Sequence, residues 1–251
     1  MELVLRDVWA GYGSRSVLRG VSLHLRDFSL AAVIGPNGSG KTTLLRVVAG
    51  LIKPRRGEVI INGVRIDGAS PRDRARIVSY VPQRDPVCEL EVVEYVALGR
   101  YPHGGSIDRR SIEIARETLR ELGIEHLASR RLSRLSGGEL RLASIARALA
   151  QRSPLILLDE PLESLDPRNR AVVLRALRRA TSMGHSIILT THDLGVALTA
   201  PSIVVGIRDG RIAFVKAPAQ ISSRDLESLY GVEIEIVGDG CRRAAIAIGS
   251  R

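Results

Sequence analysis

The sequence of 251 residues is 45% hydrophobic and 25% charged, a globular composition that excludes a disordered, collagen-like or coiled-coil chain. It has no signal-peptide pattern, no apolar run near the roughly 18 residues that span a bilayer, and two distant cysteines, Cys88 and Cys241. A reducing, cytoplasmic compartment is therefore expected. The net charge of +10 is concentrated in the first 83 residues, but the few aromatic residues do not alternate with arginines, which favours a solvated basic surface over nucleic-acid binding.

The first 83 residues combine alternating apolar positions, typical of half-buried strands, with one fully apolar strand and one helix. The segment Gly11-Tyr12-Gly13 interrupts the opening alternation, and the pair Asn62-Gly63 separates two apolar runs in the manner of a hairpin. The predicted elements, in chain order, are strands over 3–8, 17–25 and 30–34, a helix over 42–49, hairpin strands over 58–61 and 64–66, and a strand over 77–81.

From residue 84 to about residue 150 the apolar positions follow a helical spacing, which predicts a helical insertion. Strands and helices then alternate, a pattern typical of a mostly parallel α/β sheet. The predicted elements are helices over 109–122 and 140–150, a strand over 155–158, a helix over 168–180, a strand over 187–191, and short strands over 232–237 and 245–248.

The loop between the third strand and the first helix has the pattern G-x-x-x-x-G-K-[ST]. Its glycines let backbone N–H groups approach phosphate oxygens, and the helix behind them presents the positive end of its dipole. Lys41, one of only three lysines, is placed for the β- and γ-phosphates of a nucleotide, and Thr42 is a candidate Mg²⁺ ligand. The predicted nucleotide-binding residues here are Gly35, Pro36, Asn37, Gly38, Ser39, Gly40, Lys41, Thr42 and Thr43.

Polar residues follow three other predicted strands, at the sheet edge where parallel α/β folds bind ligands. Asp159 and Glu160 end the apolar strand over 155–158; Asp159 is a candidate Mg²⁺ ligand, and Glu160 is a candidate for polarising the attacking water. His192 is a candidate γ-phosphate contact, and Gln83 is a candidate sensor of metal and water. Taken singly, these residues are also compatible with a solvated acidic turn, a structural histidine and a surface glutamine.

The segment Leu135-Ser136-Gly137-Gly138-Glu139, together with the phosphate loop and the carboxylate strand, resembles the signature of the ATP-binding cassette (ABC) ATPases. Its serine and glycines open the helix over 140–150 and provide a second helix N-terminus suited to a phosphate. The resemblance covers nearly the whole chain in the right order. It implies a P-loop NTPase of the α/β class, with a RecA-like core, an antiparallel β subdomain and an inserted helical subdomain.

The resemblance also implies roles for single residues. Tyr12 corresponds to the aromatic residue that stacks on adenine, and Asp166 to the D-loop aspartate at the dimer seam. The implied catalytic residues are Glu160, His192 and Gln83, and the implied Mg²⁺ ligands are Thr42, Gln83 and Asp159. In the family the signature completes the ATP site of the opposite subunit, so the resemblance implies a twofold dimer around two ATP molecules. The residues that would do so are Leu135, Ser136, Gly137, Gly138 and Glu139.

Two positions depart from the family pattern, and neither removes a catalytic group. Leu140 stands where Gln or Lys commonly precedes the arginine of the signature helix, and Glu163 replaces a small or polar D-loop residue. The expected organisation is a first part of the catalytic core with the β subdomain (1–83), a helical subdomain (84–150), a second part of the core (151–215) and a C-terminal tail (216–251).

Two further segments resemble importers of iron–siderophore, haem, vitamin B12 and related metal-chelate or oxyanion cargo. These segments span 96–103 and 226–233. The resemblance implies an ATPase subunit on the cytoplasmic face of the membrane, bound to a permease near residues 83–101 and served by an external solute-binding protein. One alternative is a soluble ATPase for iron–sulfur cluster assembly. Another is a nucleic-acid maintenance ATPase, which the lack of a long heptad insertion disfavours.

Overall fold

The structure is a computed structural model that describes residues 1–239 and 243–248, so Cys241 lies outside the described residues. Its strands are β1 (Glu2–Tyr12), β2 (Arg15–Arg26), β3 (Leu30–Ile34), β4 (Arg56–Ile61), β5 (Val64–Arg65), β6 (Val78–Val81), β7 (Leu155–Leu158), β8 (Ser186–Thr190), β9 (Ile203–Arg208), β10 (Arg211–Lys216), β11 (Ile234–Val237) and β12 (Ala244–Ala247). Its α-helices are α1 (Lys41–Val48), α2 (Pro71–Ile77), α3 (Val92–Ala97), α4 (Tyr101–Gly104), α5 (Arg109–Glu121), α6 (Gly137–Ala150), α7 (Pro167–Ser182), α8 (Leu194–Thr199) and α9 (Ser223–Tyr230).

The described chain divides into two compact units. The first unit consists of residues 1–69 and the described residues from 188 onward, and the second consists of residues 70–187. Over the described ranges, no helix combines the length and hydrophobicity that crossing a bilayer requires. The four-part organisation expected from the sequence stays a prediction.

The first unit contains an antiparallel sheet in the strand order β2-β1-β4-β5. Alternate apolar residues of β1 and β2, such as Leu3 and Leu25, are buried and face each other in register. The predicted break at Gly11-Tyr12-Gly13 is right only at Gly13, where the turn begins, because β1 continues to Tyr12 and pairs it with Arg15. A Cβ on Gly11 would lie 2.0 Å from the Arg15 carbonyl oxygen, so this glycine allows a close approach of the strands instead of ending one.

Two hairpins of the first unit use the same turn chemistry. Asn62 and Gly63 join β4 to β5 with φ of 48° and 79°, which is the left-handed pair that a two-residue hairpin turn requires. Asp209 and Gly210 join β9 to β10 in the same way, with φ of 50° and 75°. The first hairpin is confirmed, while the second carries an equally clear signal that the sequence analysis missed.

The first unit also contributes strands to a second sheet. These strands follow the order β10-β9-β3-β8, and β3 is parallel to β9. All five residues of β3 are buried, as its continuous apolar run predicts, and the strand delivers Ile34 to the start of the phosphate loop. The two short C-terminal strands are confirmed as β11 and β12. Leu226 and Leu229 of α9 pack with Ile234 of β11 in one apolar cluster, which anchors this end of the unit.

The second unit contains the parallel strand pair β6 and β7 and the helices α2 to α7. Helix α6 buries most of its length, and α5 buries one face that includes Ile114 and Leu119. The predicted helices over 109–122 and 140–150 are thus confirmed as α5 and α6. Helix α2 was not predicted, because none of its residues is buried and its sequence lacks an apolar stripe.

Candidate nucleotide-binding and catalytic site

The phosphate loop connects β3 to α1, and its shape depends on three glycines. Gly35, Gly38 and Gly40 have φ of 152°, 77° and 109°, values that other residues rarely adopt. A Cβ on Gly35 would lie 2.0 Å from the carbonyl oxygen of Ile207 in β9, whereas a Cβ on Gly38 would meet nothing within 4 Å. The loop is therefore pressed against β9 on one side and open on the other, as a cradle for a ligand requires.

Two polar groups of this loop are placed to meet a phosphate. Lys41 is nearly buried, and its Nζ donates to the carbonyl oxygens of Gly35 at 2.8 Å and Pro36 at 3.2 Å. Ser39 Oγ is buried and makes no hydrogen bond with any of the described residues. A buried hydroxyl without a partner is costly unless a ligand satisfies it, so the loop fits a phosphate group.

The turn between β9 and β10 supports the phosphate loop from outside. The Gly210 N–H donates to the Ser39 carbonyl oxygen at 3.0 Å, and the Arg19 N–H donates to the Gly210 carbonyl oxygen at 2.9 Å. This support was not predicted from the sequence. Its signal was the Asp209-Gly210 pair between two apolar runs, although nothing local in the sequence connects that turn to the loop.

Tyr12 offers an exposed aromatic surface in the same unit, at the end of β1. The side chain is 46% exposed, and its hydroxyl accepts a hydrogen bond from Arg46 Nη1 of α1 at 3.0 Å. Arg55 donates to the backbone carbonyl oxygens of Gly13 and Ser14, the two residues that follow Tyr12 in the chain. These contacts hold the tyrosine at the strand end while leaving a ring surface that can stack on a base.

His192 also lies in the first unit, two positions beyond the end of β8. Its side chain is exposed, and the next residue, Asp193, caps α8 by accepting from the Val196 N–H at 3.0 Å. The Thr191 N–H donates to the Val33 carbonyl oxygen of β3 at 3.1 Å. The backbone on both sides of His192 is therefore fixed.

The carboxylate pair lies in the second unit, directly after β7. All four residues of β7 are buried, Asp159 is 1% exposed and Glu160 is 9% exposed. Asp159 Oδ2 accepts a hydrogen bond from the Tyr80 hydroxyl at 3.1 Å, and the Asp159 N–H donates to the Val81 carbonyl oxygen at 3.0 Å. A solvated acidic turn would not bury these groups, so their placement favours the chemical role.

The signature segment forms the N-terminus of α6, three residues earlier than the predicted helix start. Ser136 Oγ accepts from the Glu139 N–H at 3.3 Å, and Glu139 Oε2 accepts from the Ser136 N–H at 2.8 Å. This reciprocal capping box fixes the first turn of α6. A Cβ on Gly137, at the start of the helix, would meet no described atom within 4 Å. In contrast, a Cβ on Gly138 would lie 2.5 Å from Cγ of Asn169, so this glycine allows α6 to approach α7.

Glu139 is also held by charge. Arg130 Nη1 donates to Glu139 Oε1 at 2.7 Å. Partial burial raises the pKa of the Glu139 carboxyl, but the hydrogen bonds from Ser136 and the nearby Arg130 guanidinium outweigh it and leave the pKa below its usual range. A negative charge at the N-terminus of α6 is favourable for the helix dipole.

Gln83 and Asp166 complete the set of sequence-predicted residues in the second unit. Asp166 caps α7, because its Oδ1 accepts from the Asn169 N–H at 2.8 Å. Gln83 follows β6 by two positions, and its Nε2 donates to Glu163 Oε2 at 2.5 Å. Glu163, one of the two departures from the family pattern, therefore contacts a predicted site residue.

A buried arginine of α6 holds the backbone at Gln83. Arg141 Nη1 and Nη2 donate to the carbonyl oxygens of Pro82 and Gln83 at 2.8 Å and 2.5 Å, and Nη1 lies 3.2 Å from Asp85 Oδ1. Burial raises the pKa of the Asp85 carboxyl, and the charge of Arg141 opposes that effect without cancelling it. No role was predicted for Arg141 from the sequence, where its only signal is a charged residue inside a largely apolar helix.

The donor set suits Mg²⁺ more than a resident transition metal. Thr42, Gln83 and Asp159 offer a hydroxyl, an amide and a carboxylate oxygen, the hard ligands that Mg²⁺ prefers together with nucleotide phosphates. Within residues 1–239 and 243–248, no group of three or more His, Cys, Asp or Glu side chains could hold a metal ion. Thr42 belongs to the first unit, and Gln83 and Asp159 belong to the second.

Comparison with known proteins identifies the family. The ABC transporter family pattern matches residues 18–163. The chain is 34% identical to the hemin import ATP-binding protein HmuV of Thermobifida fusca, with 92% of this chain and 83% of that protein covered. It is 34% identical to the ferric enterobactin transport ATP-binding protein FepC of Escherichia coli, with 91% and 87% covered. It is 33% identical to the phosphonates import ATP-binding protein PhnC of Rhodopseudomonas palustris, with 94% and 92% covered.

Solved structures agree with the expected fold. A metal-chelate type ABC transporter in an inward-facing conformation superimposes with a TM-score of 0.84 at 24% identity, covering 99% of this chain and 98% of that one. The dimeric, post-hydrolysis cassette MJ0796, bound to ADP and phosphate, superimposes with a TM-score of 0.77 at 26% identity, covering 87% and 100%. The predicted P-loop NTPase fold and the predicted family are confirmed. The chain belongs to the ABC transporter family and is an ATPase of that family, whose ATP hydrolysis is coupled to transport.

Proposed function

We propose that this chain is the ATP-hydrolysing subunit that powers a membrane permease for solute import. The cargo we propose is a metal chelate, such as haem, a ferric siderophore or cobalamin, or else an oxyanion. The observation that carries the proposal is the similarity, over nine-tenths of the chain, to ATP-binding proteins named for the import of hemin, ferric enterobactin and phosphonates.

The phosphate loop would bind the β- and γ-phosphates of ATP. Lys41 Nζ donates to two neutral carbonyl oxygens, and an anionic phosphate is a stronger acceptor for an ammonium group than either of them. Ser39 Oγ and the N–H groups at Gly38 and Gly40 would donate to the same anion. Tyr12 would stack on the adenine ring.

Further candidate residues would then act on the γ-phosphate. Thr42, Gln83 and Asp159 would hold Mg²⁺, which when bound neutralises charge on the phosphates. Glu160 would accept a proton from the attacking water, and His192 would contact the γ-phosphate. The hydroxyl of Tyr80 orients Asp159, because it donates to one carboxylate oxygen.

Two copies of the chain would share each ATP molecule. The signature residues, from Leu135 to Glu139, would face the γ-phosphate bound by the other copy, with Ser136 and Gly138 as the contacts. The capping box already fixes the N-terminus of α6, so this phosphate-binding end is formed before the partner arrives. Asp166 would lie at the seam. Hydrolysis would remove the bridging phosphate and reopen the dimer, a population shift driven by the ligand.

The permease would bind near residues 83–101, on the cytoplasmic face of the membrane, and an external solute-binding protein would deliver the cargo. Large apolar side chains are exposed along this segment: Val87, Leu90, Leu98 and Tyr101. A cleft of about 390 Å³ beside them is lined by Pro82, Pro86, Tyr95 and Leu98, among others. Exposed apolar patches of this kind are typical of protein interfaces.

Reconstitution with the permease tests the proposal. The chain should co-purify with a permease encoded beside it. Vesicles containing both, supplied outside with the solute-binding protein, should take up one of four offered cargoes (hemin, a ferric siderophore, cobalamin or a phosphonate) only with ATP inside. Vesicles prepared with the Glu160→Gln variant are the control and should take up none. Co-purification with a soluble iron–sulfur scaffold and no membrane partner would replace the import role with the assembly role.

A further inference from the structure

Glu163 is the residue at which the loop after β7 departs from the family pattern, and its side chain has a specific partner. Its carboxylate accepts a hydrogen bond from the Gln83 amide nitrogen, across 80 positions of sequence. Glu163 is half-buried and Gln83 is exposed, and with Arg141 and Ser164 they line a cleft of about 400 Å³ in the second unit. The contact therefore lies at the surface of the unit, with its acceptor half-buried and its donor exposed.

The chemistry of the pair fixes the orientation of the glutamine amide. An ionised carboxylate can only accept hydrogen bonds, so only the NH₂ end of the Gln83 amide can face Glu163. The amide oxygen, Oε1, must then point away from Glu163 as an available acceptor. A serine or asparagine at position 163 could donate or accept, and either orientation of the amide would then be satisfied.

The backbone on both sides of this contact is held independently of it. Arg141 binds the carbonyl oxygens of Pro82 and Gln83, and the Glu163 N–H donates to the Glu160 carbonyl oxygen at 3.2 Å. Removing the Glu163 carboxylate should therefore release the Gln83 side chain without moving the loop. The Glu163 carboxylate therefore fixes only the side-chain torsion that decides whether the amide nitrogen or the amide oxygen of Gln83 faces it.

We propose that Glu163 is a positioning residue that turns the amide oxygen of Gln83 outward as a ligand for a divalent cation. The proposal rests on the proposed function, in which Gln83 is one of the Mg²⁺ ligands. Glu163 thereby gains a role at a position where the family usually has a small or polar residue. The affinity of this chain for the metal would then depend on a carboxylate that does not itself bind the metal.

Amide NMR tests the hydrogen bond directly in the nucleotide-free protein. The chain has three glutamines and three asparagines, so its side-chain amide spectrum contains few signals, and the Gln83→Leu variant assigns the one of interest. Glu163→Leu should shift the Gln83 NH₂ signals upfield and increase their exchange with water. The matched control is Glu121→Leu, because Glu121 is half-buried in the same unit and makes no hydrogen bond or ion pair among the described residues. An unchanged Gln83 signal in Glu163→Leu would overturn the proposal.

Metal binding tests the consequence without relying on turnover. In the Glu160→Gln background with ATP present, Mn²⁺ affinity is measured by electron paramagnetic resonance titration. Glu163→Leu should weaken Mn²⁺ binding about threefold to tenfold, the range expected for one oriented ligand, while metal-free ATP binding stays unchanged. Glu163→Gln, which keeps an acceptor oxygen, should restore part of the affinity, and Glu121→Leu should have no effect.

The Gln83 background separates the possible failures. Adding Glu163→Leu to Gln83→Leu should cause no further loss of Mn²⁺ affinity, since both changes act on one ligand. Equal losses in the presence and absence of Gln83 would overturn the positioning role and leave the proposed function intact. If the parent Glu160→Gln protein bound no ATP and metal at all, the proposed function would fail, and this inference with it.

Discussion

The loop after β3 and the loop after β7 carry the two halves of the predicted chemistry, and they are built in opposite ways. The first adopts positive φ at Gly35, Gly38 and Gly40, where no side chain resists it, and offers backbone N–H groups. The second adopts positive φ at Glu160 (48°) and Ser164 (59°), where a Cβ makes this conformation costly. A loop that binds a ligand through backbone N–H groups can use glycines, which adopt positive φ without strain. A loop that acts through side chains needs residues other than glycine, so positive φ in that loop costs energy.

The two loops also differ in what they bury. The β3 loop buries one ammonium group that carbonyl oxygens already satisfy, whereas the β7 loop buries the carboxylates of Asp159 and Glu160 almost completely. Burying ionisable groups opposes folding unless partners compensate. The β7 loop therefore places two carboxylates that require compensating partners where the reaction needs reactive groups. Substitutions in each loop can test whether the loop after β3 serves phosphate binding and the loop after β7 serves hydrolysis.

The largest expected effect belongs to the β7 loop. Replacing Glu160 by Gln keeps the side-chain size and the backbone conformation but removes the proton acceptor, so the rate of ATP hydrolysis should fall by about 10²- to 10⁴-fold. ATP affinity, measured by calorimetry, should stay within about twofold because the phosphate loop is untouched. If hydrolysis by the variant remained near the wild-type rate, the chemistry could not be assigned to this loop.

In the β3 loop the largest effect should be on folding. Gly35→Ala places a Cβ 2.0 Å from the Ile207 carbonyl oxygen, a backbone atom that cannot move aside. The free energy of unfolding, measured with denaturant, should fall by about 3 kcal/mol. Gly38→Ala is the matched control, because its Cβ meets nothing and only its φ of 77° is unfavourable. We expect that variant to lose about 1 kcal/mol. Equal losses would show that contact with β9 does not shape the loop.

The same contrast explains which parts of the fold the sequence predicts. A strand buried on both faces needs an unbroken apolar run, so β3 and β7 were predicted with their observed bounds. Helix α2 buries nothing, and only its cap at Ser70 and the following Pro71 mark it. The end of β1 was mispredicted because Gly11 signals a break locally, while its reason is the close approach of another strand.

The site was predictable wherever a local constraint fixes residue types. The phosphate loop needs glycines and a lysine at set positions, and the signature needs a capping serine before its helix. Contacts between distant positions leave no such trace. Arg141 lies 58 residues from Gln83, and Glu163 lies 80 residues from it, so neither contact follows from any pattern in the intervening sequence.

A smaller effect, on binding alone, is expected for the lysine of the β3 loop. Lys41→Ala removes a charged donor to the phosphates, and ATP affinity measured by calorimetry should fall about 10- to 100-fold, the range for a hydrogen bond to a charged group. The exposed Lys53, in the same unit, supplies the control variant Lys53→Ala, which should bind ATP normally. Equal affinities in the two variants would contradict the role of Lys41 in the cradle.

The smallest effect should come from the signature segment and should depend on pH. Glu139→Gln keeps the acceptor oxygen of the capping box but removes the charge that Arg130 and the dipole of α6 stabilise. At pH 7 the free energy of unfolding should therefore fall by about 0.5–1 kcal/mol, as measured by denaturant titration.

The sign of the pH dependence follows from the pKa of Glu139, which folding lowers from its ordinary value of 4.5. A lowered pKa means that the unfolded chain binds the proton more readily, so the stabilisation is complete above pH 4.5 and is lost as the pH falls through the folded-state pKa. The wild-type and Glu139→Gln curves should converge in acid. Glu113→Gln, which breaks an exposed pair with Arg109, should change stability by less than about 0.5 kcal/mol. If the two curves of unfolding free energy against pH stayed parallel down to acid pH, the charge of Glu139 would not stabilise α6. The signature would then depend on hydrogen bonds and backbone geometry, as the loop after β3 does.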